Sequence, residues 1–480
     1  MPALDIRLKR SAIFVHRWMG VVFCLLFAWW FVTGIFMMYW DYPEVSESDR
    51  MARAQPIDGS RIRVSPQQAF VRLEAARPAG TVCLTMFDGR PVYRFGFGGD
   101  ERLVHADDGT EITEFPPDLL LRVASSWTGK PARDARSEGM ITAEDQWTVS
   151  GAFRALRPLW KYSWPGGEEV YVSEATGQVV QYTTRASRLG AYFGAIPHWL
   201  YFTPLRKNGL LWSRVVTMAS ALATMAALFG LVLGIWMYAP VRGVPYRGQK
   251  RLHMILGLFF GIIACTWAFS GMLSMEPFPI EADDPPYASE ITGALRGAKP
   301  PLEAFAFLPP QQALAGLPAK QLDFTSLAGE PVYLATQGPG QSRIIPVRGA
   351  PAAAFDWNRM AGLIREAAPV SEVRLLSQYD AYYLDRRRRS PLPVLLVRLQ
   401  DAGSSRYYID PRTARVVGVY TSGSWMSRWL YHGLHSINFP WLYNYRPAWD
   451  LVVLALLTGG GALSITAVIL AWQLLWRKLL

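Results

Sequence analysis

The chain has 480 residues, 51% of them hydrophobic, a mean hydropathy of +0.10 and a formal net charge of +11. That balance is too polar for a protein lying wholly within lipid and too apolar for a wholly soluble one. Much of the positive charge flanks long apolar runs, so it calls for no nucleic-acid partner.

Residues 1–40 comprise a basic flank (Arg7, Lys9, Arg10) and an apolar run over 11–39. Residues 41–190 read as mixed α/β. They hold a capped helix at 65–76, strands in TVCLTMF and PVYRFGFG, and a strand running into a turn in LVHADDGTEI. A helix at 118–127 and closing strands over 168–182 complete this part. Residues 191–240 hold the aromatic, proline-broken segment PHWLYFTPLR and a second apolar run over 212–238. Residues 241–275 hold a basic connection (Arg242, Arg247, Lys250, Arg251) and a third run over 253–275. Residues 276–424 repeat the α/β order, with helices at 309–317 and 355–368, an extended PVYLATQ and closing strands over 406–420. Residues 425–480 hold HSINFPWLYNYRP, a fourth run over 449–476, and basic Arg477 and Lys478.

Each run exceeds the roughly 20 residues needed to cross hydrocarbon, which predicts four transmembrane helices. The first run is long and lacks a small-residue cleavage site, so it reads as a retained span. Short basic flanks face the cytoplasm. Both termini and the short connection are therefore expected inside, with the two long loops outside. The predicted fold is an α-helical membrane protein with α/β extramembrane parts, in two pseudo-symmetric halves.

The chain repeats itself at an offset of 237 residues. His16 matches His253, Gly20 matches Gly257, Gly34 matches Gly271, His198 matches His435 and Trp212 matches Trp449. Four of the six histidines thus fall into two symmetric pairs. His16 and His253 are expected at the cytoplasmic ends of spans one and three. His198 and His435 are expected outside spans two and four. Two neutral imidazoles facing each other across a bundle suit the binding of one haem iron from opposite sides. Gly20 and Gly257 lie on the histidine face of their helices and leave room for a porphyrin. Gly34 and Gly271, on the same face, admit close helix packing or a second porphyrin edge. Arg17 and Arg251 are expected to meet propionates at the inner pair, and Arg206 and Arg446 at the outer. His432 is the alternative to His435, which the repeat register favours. Three cysteines, two of them inside apolar runs, build neither a disulfide framework nor a thioether attachment. The cofactor expected is two haems b, forming a wire across the bilayer. Trp29, Trp30 and Trp267 lie between the two depths, as packing or as part of the electron path. His105 has no partner in the other half and reads as solvated.

The order of helix, strand, Asp-x-x-Thr-Gly-like turn and strand in each external part resembles the PepSY domain. HRWMG opening a span, with a second histidine segment just outside the next one, is similar to the PepSY-associated transmembrane family. The turn departs from the pattern in both halves. Ser173 replaces the Asp while Gly177 is kept; Asp410 is kept while Ala414 replaces the Gly. The resemblance implies a bacterial inner-membrane protein with periplasmic PepSY-like lobes over 41–190 and 276–424. It also implies iron-regulated proteins, some resembling haem-containing reductases of ferric siderophores.

Competing chemistries are zinc, for which a histidine-only site with few carboxylates is a poor cage, and copper. Met37, Met38, Met272 and Met275 would supply a soft copper path or simple packing. The DRRRR run at 385–389 reads as a solvated hairpin tip or an anchor to anionic lipid, or else as a docking patch for an acidic partner or anionic chelate. No nucleotide or flavin fingerprint is present, so electrons are expected from a separate cytoplasmic or membrane donor. The function expected is electron transfer to a periplasmic ferric siderophore or other ferric chelate. The alternatives are a non-catalytic PepSY regulator and a copper or iron transporter component, although the spans lack the charges a transporter would need.

Overall fold

The computed structural model describes residues 2–239, 243–278 and 284–479; Arg242 and the side chain of Lys478 lie outside that description. Among the described residues, four helices are long and apolar enough to cross a membrane. These are α1 (Pro2–Met37), α2 (Gly209–Met237), α3 (Gly248–Leu273) and α4 (Arg446–Leu479). Asn208 caps the start of α2 by accepting the Leu211 N–H at 3.0 Å. Large apolar side chains such as Leu25, Val32, Phe259 and Leu451 remain exposed along the four helices. Water would make that surface costly, and lipid removes the cost.

In the bundle α1 packs on α4, α2 on α3, and α3 on α4. Glycines set the closest approaches. A Cβ at Gly459 would strike the Phe260 ring, and one at Gly460 the Phe31 ring. Phe31 is consequently buried against Trp449, Val453 and Leu457, with Trp267 alongside. The sequence repeat maps α1 onto α3 and α2 onto α4, so the packing of α1 on α4 is the counterpart of α3 on α2.

The first loop supplies β1 (Thr81–Phe87), β2 (Arg90–Gly96), β3 (Glu101–His105) and β4 (Glu111–Ile112), then the helix Pro117–Thr128. It ends in β5 (Arg136–Ile141), β6 (Leu159–Ser163), β7 (Glu169–Ser173) and β8 (Val179–Thr183). The second loop supplies β9 (Gln321–Leu327), β10 (Glu330–Gly338) and β11 (Gln341–Pro346), then the helix Trp357–Ala367. Its closing strands are β12 (Val370–Leu376), β13 (Val394–Leu399), β14 (Arg406–Asp410) and β15 (Arg415–Tyr420). The predicted helix at 65–76 is the shorter Pro66–Arg72, started by a Ser65–Gln68 capping box; that at 309–317 is a single turn, Pro310–Ala313.

The two lobes are fused. Strands β1 and β9 pair antiparallel, Val82 opposite Phe324 and Leu84 opposite Leu322, at the centre of a seven-stranded sheet β11-β10-β9-β1-β2-β3-β4. Tyr93, Phe305, Phe324 and Tyr333 fill one core drawn from both halves. Each lobe keeps a separate four-stranded sheet, β5–β8 or β12–β15, and each sheet has a β-bulge at the matched positions Tyr171 and Tyr408. Gly177 and Ala414, the divergent turn positions, both hold positive φ, +65° and +49°. The turn geometry therefore survives the loss of glycine in the second half.

The arginine run is an exposed turn, as expected, but it is also docked at its first residues. Arg386 donates to the Met37 and Met38 carbonyls at the end of α1, and Arg387 pairs with Asp41. Arg388 donates to the Asn444 carbonyl at 3.0 Å. A cation on the carbonyl end of a helix satisfies orphan acceptors and meets the negative end of its dipole. The run ties the second lobe to the first span. His105 is only partly solvated: it lies half-buried on β3, opposite Val92, with Nδ1 buried and unpartnered.

Candidate functional site

His16 on α1 and His253 on α3 face each other across the bundle, with ring centres 6.4 Å apart and planes inclined by 31°. The His16 Nδ1 lies 3.1 Å from the Ala226 carbonyl of α2. The His253 Nδ1 lies 2.9 Å from Thr466 Oγ1 of α4, which spends its own proton on the Leu463 carbonyl. Leu463 is the repeat counterpart of Ala226. A carbonyl can only accept, and a hydroxyl whose proton is committed must accept too. Both imidazoles therefore carry their proton on Nδ1, leaving the Nε2 lone pair free.

On the lobe side of the bundle His198 ends the short helix Ala195–His198, and His435 lies in Leu434–Ser436, just after the π-helical stretch Met426–Gly433. Their ring centres are 6.1 Å apart, with planes inclined by 72°. The His198 Nδ1 meets Thr33 Oγ1 at 2.9 Å, and the His435 Nδ1 meets Ser270 Oγ at 3.0 Å. Thr33 donates to the Trp29 carbonyl at 2.8 Å, and Ser270 to the Trp267 carbonyl at 3.2 Å. The same logic again leaves Nε2 bare. Burial pushes the His198 ring down to about 3 and the His435 ring to about 4, so both are neutral at physiological pH.

Each histidine is braced by its own half of the chain and looks at the other half. Thr33 and Ser270 are themselves matched at the 237-residue offset, as are Trp30 and Trp267. Trp30 Nε1 donates to the His198 carbonyl at 3.0 Å, and Trp267 Nε1 to the Leu434 carbonyl at 2.9 Å. Trp212 and Trp449 clamp the next turn through the carbonyls of Trp199, at 2.8 Å, and its counterpart Ser436, at 3.1 Å. These two tryptophan pairs fix the backbone that carries the outer histidines. In the sequence Thr33 and Ser270 differ in residue type, which hides the match; a search for hydroxyls at the repeat offset would find it.

A cavity of about 310 Å³ opens at the inner pair, lined by His16, His253, Arg17, Gly20, Gly257 and Lys250 among others. A Cβ at Gly20 would meet no atom within 4 Å, so the space beside that helix is open. Gly230 is tight instead: its Cβ would lie 2.5 Å from His16 Cε1. Gly34 and Gly271 serve the outer pair rather than the inner one. A Cβ there would come within 4.0 Å of His198 Cε1 and 3.5 Å of His435 Cε1.

A family model for the PepSY-associated TM region matches residues 14–275, more than half of the chain. The chain belongs to that family. No curated protein matches it. The matched stretch includes His16, His198 and His253, and the internal repeat extends the pattern to His435. This PepSY-associated protein is a multi-pass membrane protein with α/β lobes gathered at one end of its helices.

The remaining candidate residues of this family member divide by placement. His435 makes the ring contact with His198, whereas His432 lies against Tyr431, centres 4.7 Å apart. Arg251 is exposed, and Lys250 takes the place on the cavity wall expected for it. The helix turn decides this, because adjacent residues face about 100° apart. Arg446 pairs with Asp450 at 2.8 Å and lies over the Trp449 ring. Arg206 lies over the Trp212 ring at 4.6 Å, and its Nε is buried without a partner. Sequence reasoning missed Arg428, which is 2% exposed and donates to the Ala381 carbonyl and to both oxygens of Asn438. It locks the loop on either side of His435. Met38, one of the candidate copper ligands, is packed in the core with Tyr443 and Trp449.

Proposed function

We propose that this protein is a di-haem b oxidoreductase of the bacterial inner membrane that delivers electrons to a ferric chelate, such as a ferric siderophore, on the lobe side. One observation carries the reading. Imidazoles binding one metal from opposite sides through bonds of about 2 Å have ring centres about 6 Å apart, and both pairs have that spacing, at 6.4 and 6.1 Å. Among the described residues no group of three or more His, Cys, Asp or Glu is gathered for a metal. Two facing ligands and no more is what a porphyrin iron leaves for the protein to supply.

The residues present fit the group. His16 and His253 would hold one iron and His198 and His435 the other, each through its bare Nε2. Gly20 leaves the open space a macrocycle needs beside the inner pair. Arg17 and Lys250 on the cavity wall, and the unpartnered Arg206 Nε near the outer segment, would take the propionates. A haem so bound supplies one-electron transfer. The protein orients the ligands, keeps them neutral and excludes water. The basic ends of the spans would lie in the cytoplasm by the charge rule, placing the lobes in the periplasm. Electrons would come from a separate donor. Lowering Fe(III) to Fe(II) weakens hard-oxygen chelation and so releases the iron.

The test is the visible spectrum of the detergent-purified protein, oxidised and dithionite-reduced, with a haem count. Two b haems per chain are expected. A colourless protein, even after expression with haem precursor, would sink the reading and favour a non-catalytic regulator. The bracing hydroxyls give a finer expectation. Thr33→Val strands the buried His198 Nδ1–H, and outer-site haem affinity should fall about 10–100-fold. Titration of haem into apoprotein would show it, with the inner site unchanged.

A further inference from the structure

A second cavity, of about 1,110 Å³, lies where the first lobe, the second lobe and the membrane-proximal segment meet. Its wall includes Glu47 of the first lobe and Arg412 of the second. Arg388 and Arg389 of the docked arginine run line it, as do Trp441 and Tyr445. The volume slightly exceeds the roughly 300–1,000 Å³ range of small-molecule sites, which leaves room for a bulky ligand.

Its chemistry is one-sided. Three guanidinium groups face one carboxylate. Arg412 is partly engaged, through Asp410 at 3.1 Å and the Gly340 carbonyl at 2.7 Å. The Arg388 guanidinium touches the Asn444 carbonyl, a neutral acceptor. The Asp385 carboxylate orders the turn by accepting the backbone N–H groups of Arg387, Arg389 and Ser390. Trp441 and Tyr445 are 72% and 67% exposed; Trp441 stacks on Phe439, ring centres 6.5 Å apart, and most of its surface stays open beside the arginines. Guanidinium forks beside exposed aromatic rings recognise anions that carry flat rings. Trp441 stands on the short helix Pro440–Tyr443, which follows directly from the His435 segment. Ligand held there would lie against the chain that carries the outer pair.

We propose that this cleft is the chelate site, and that its ligand is an anionic, ring-bearing ferric complex of the catecholate type rather than a neutral hydroxamate. The proposal rests on the reductase reading for the word chelate, and on the cleft alone for charge and aromaticity. The arginine run has two tasks: Arg386 and Arg387 fasten it to the first span, and Arg388 and Arg389 present charge to the cleft.

The test is equilibrium dialysis of the full chain in detergent against gallium(III) complexes, which bind without being reduced. The tris-catecholate complex should bind at least about tenfold more tightly than the neutral tris-hydroxamate complex. Arg389→Gln and Trp441→Ala should each weaken the catecholate complex about tenfold, and Arg389→Lys should recover part of the loss. Both side chains are exposed, so the fold should persist, and an unchanged melting temperature checks it. Equal binding of the two complexes, undiminished binding by the variants, or no binding at millimolar ligand would each overturn the proposal. Gallium binding does not depend on haem, so a colourless protein that still selects the anion would fail the reductase reading and leave the cleft assignment standing.

Discussion

His16→Ala should leave one haem per chain instead of two, and His435→Ala should do the same at the other site. Each pair is assembled from both halves, yet each ring is braced within its own half: His16 by Ala226, His435 by Ser270. Removing one imidazole would take away one of the two proposed iron ligands and leave the partner's bracing intact. The loss should therefore be confined to one pair, with site affinity down more than about 100-fold, beyond the effect of deleting a bracing group. A haemochrome count reads the stoichiometry, and a redox titration shows which potential has vanished. His432→Ala should keep both haems, since that ring lies against Tyr431 rather than His198. Loss of both haems in each single variant would mean that the sites fold as one unit and would refute independent bracing.

Gly230→Val should abolish the inner site while sparing the outer one. The first added carbon would lie 2.5 Å from His16 Cε1 and 3.2 Å from both ring nitrogens. The imidazole must turn away, breaking its bond to the Ala226 carbonyl one helical turn earlier. Overpacking of this kind costs about 1–3 kcal/mol, enough to displace a side chain and too little to unfold a four-helix bundle. Gly20→Leu is the complementary variant. Its Cβ would meet no neighbour within 4 Å, so stability should hold, while the longer side chain would reach into the space assigned to the macrocycle. Loss of inner haem in both variants, with unchanged helicity, supports the assignment. Full inner-site occupancy in Gly20→Leu would show that the open space has another use.

The four spans were legible because crossing lipid demands an unbroken apolar run, and nothing else in the chain supplies one. The repeat made the histidine pairs legible as well, since two halves under one constraint keep residues in register. Its offset also favoured His435 over His432. Local rules worked where a single element decided the outcome, as in the Ser65 capping box and the closing strands β7–β8 and β14–β15. They failed where a partner distant in sequence decided it. Short apolar segments in the two loops gave no sign that β1 would pair with β9, because an edge strand does not encode what covers it. Arg251 and Lys250 are adjacent and alike in charge, and only the rotation of α3 chose between them.

By itself, then, the sequence determined the membrane class, the twofold repeat and the identity of the paired histidines. Those follow from hydrophobicity and register, which are properties of residue order. Tertiary structure alone decided the fused seven-stranded sheet, the docking of Arg386 on the end of the first span, and the protonated nitrogen of each histidine. Those depend on which carbonyl or hydroxyl from elsewhere in the chain comes within hydrogen-bond reach, and the order of residues does not fix such distances.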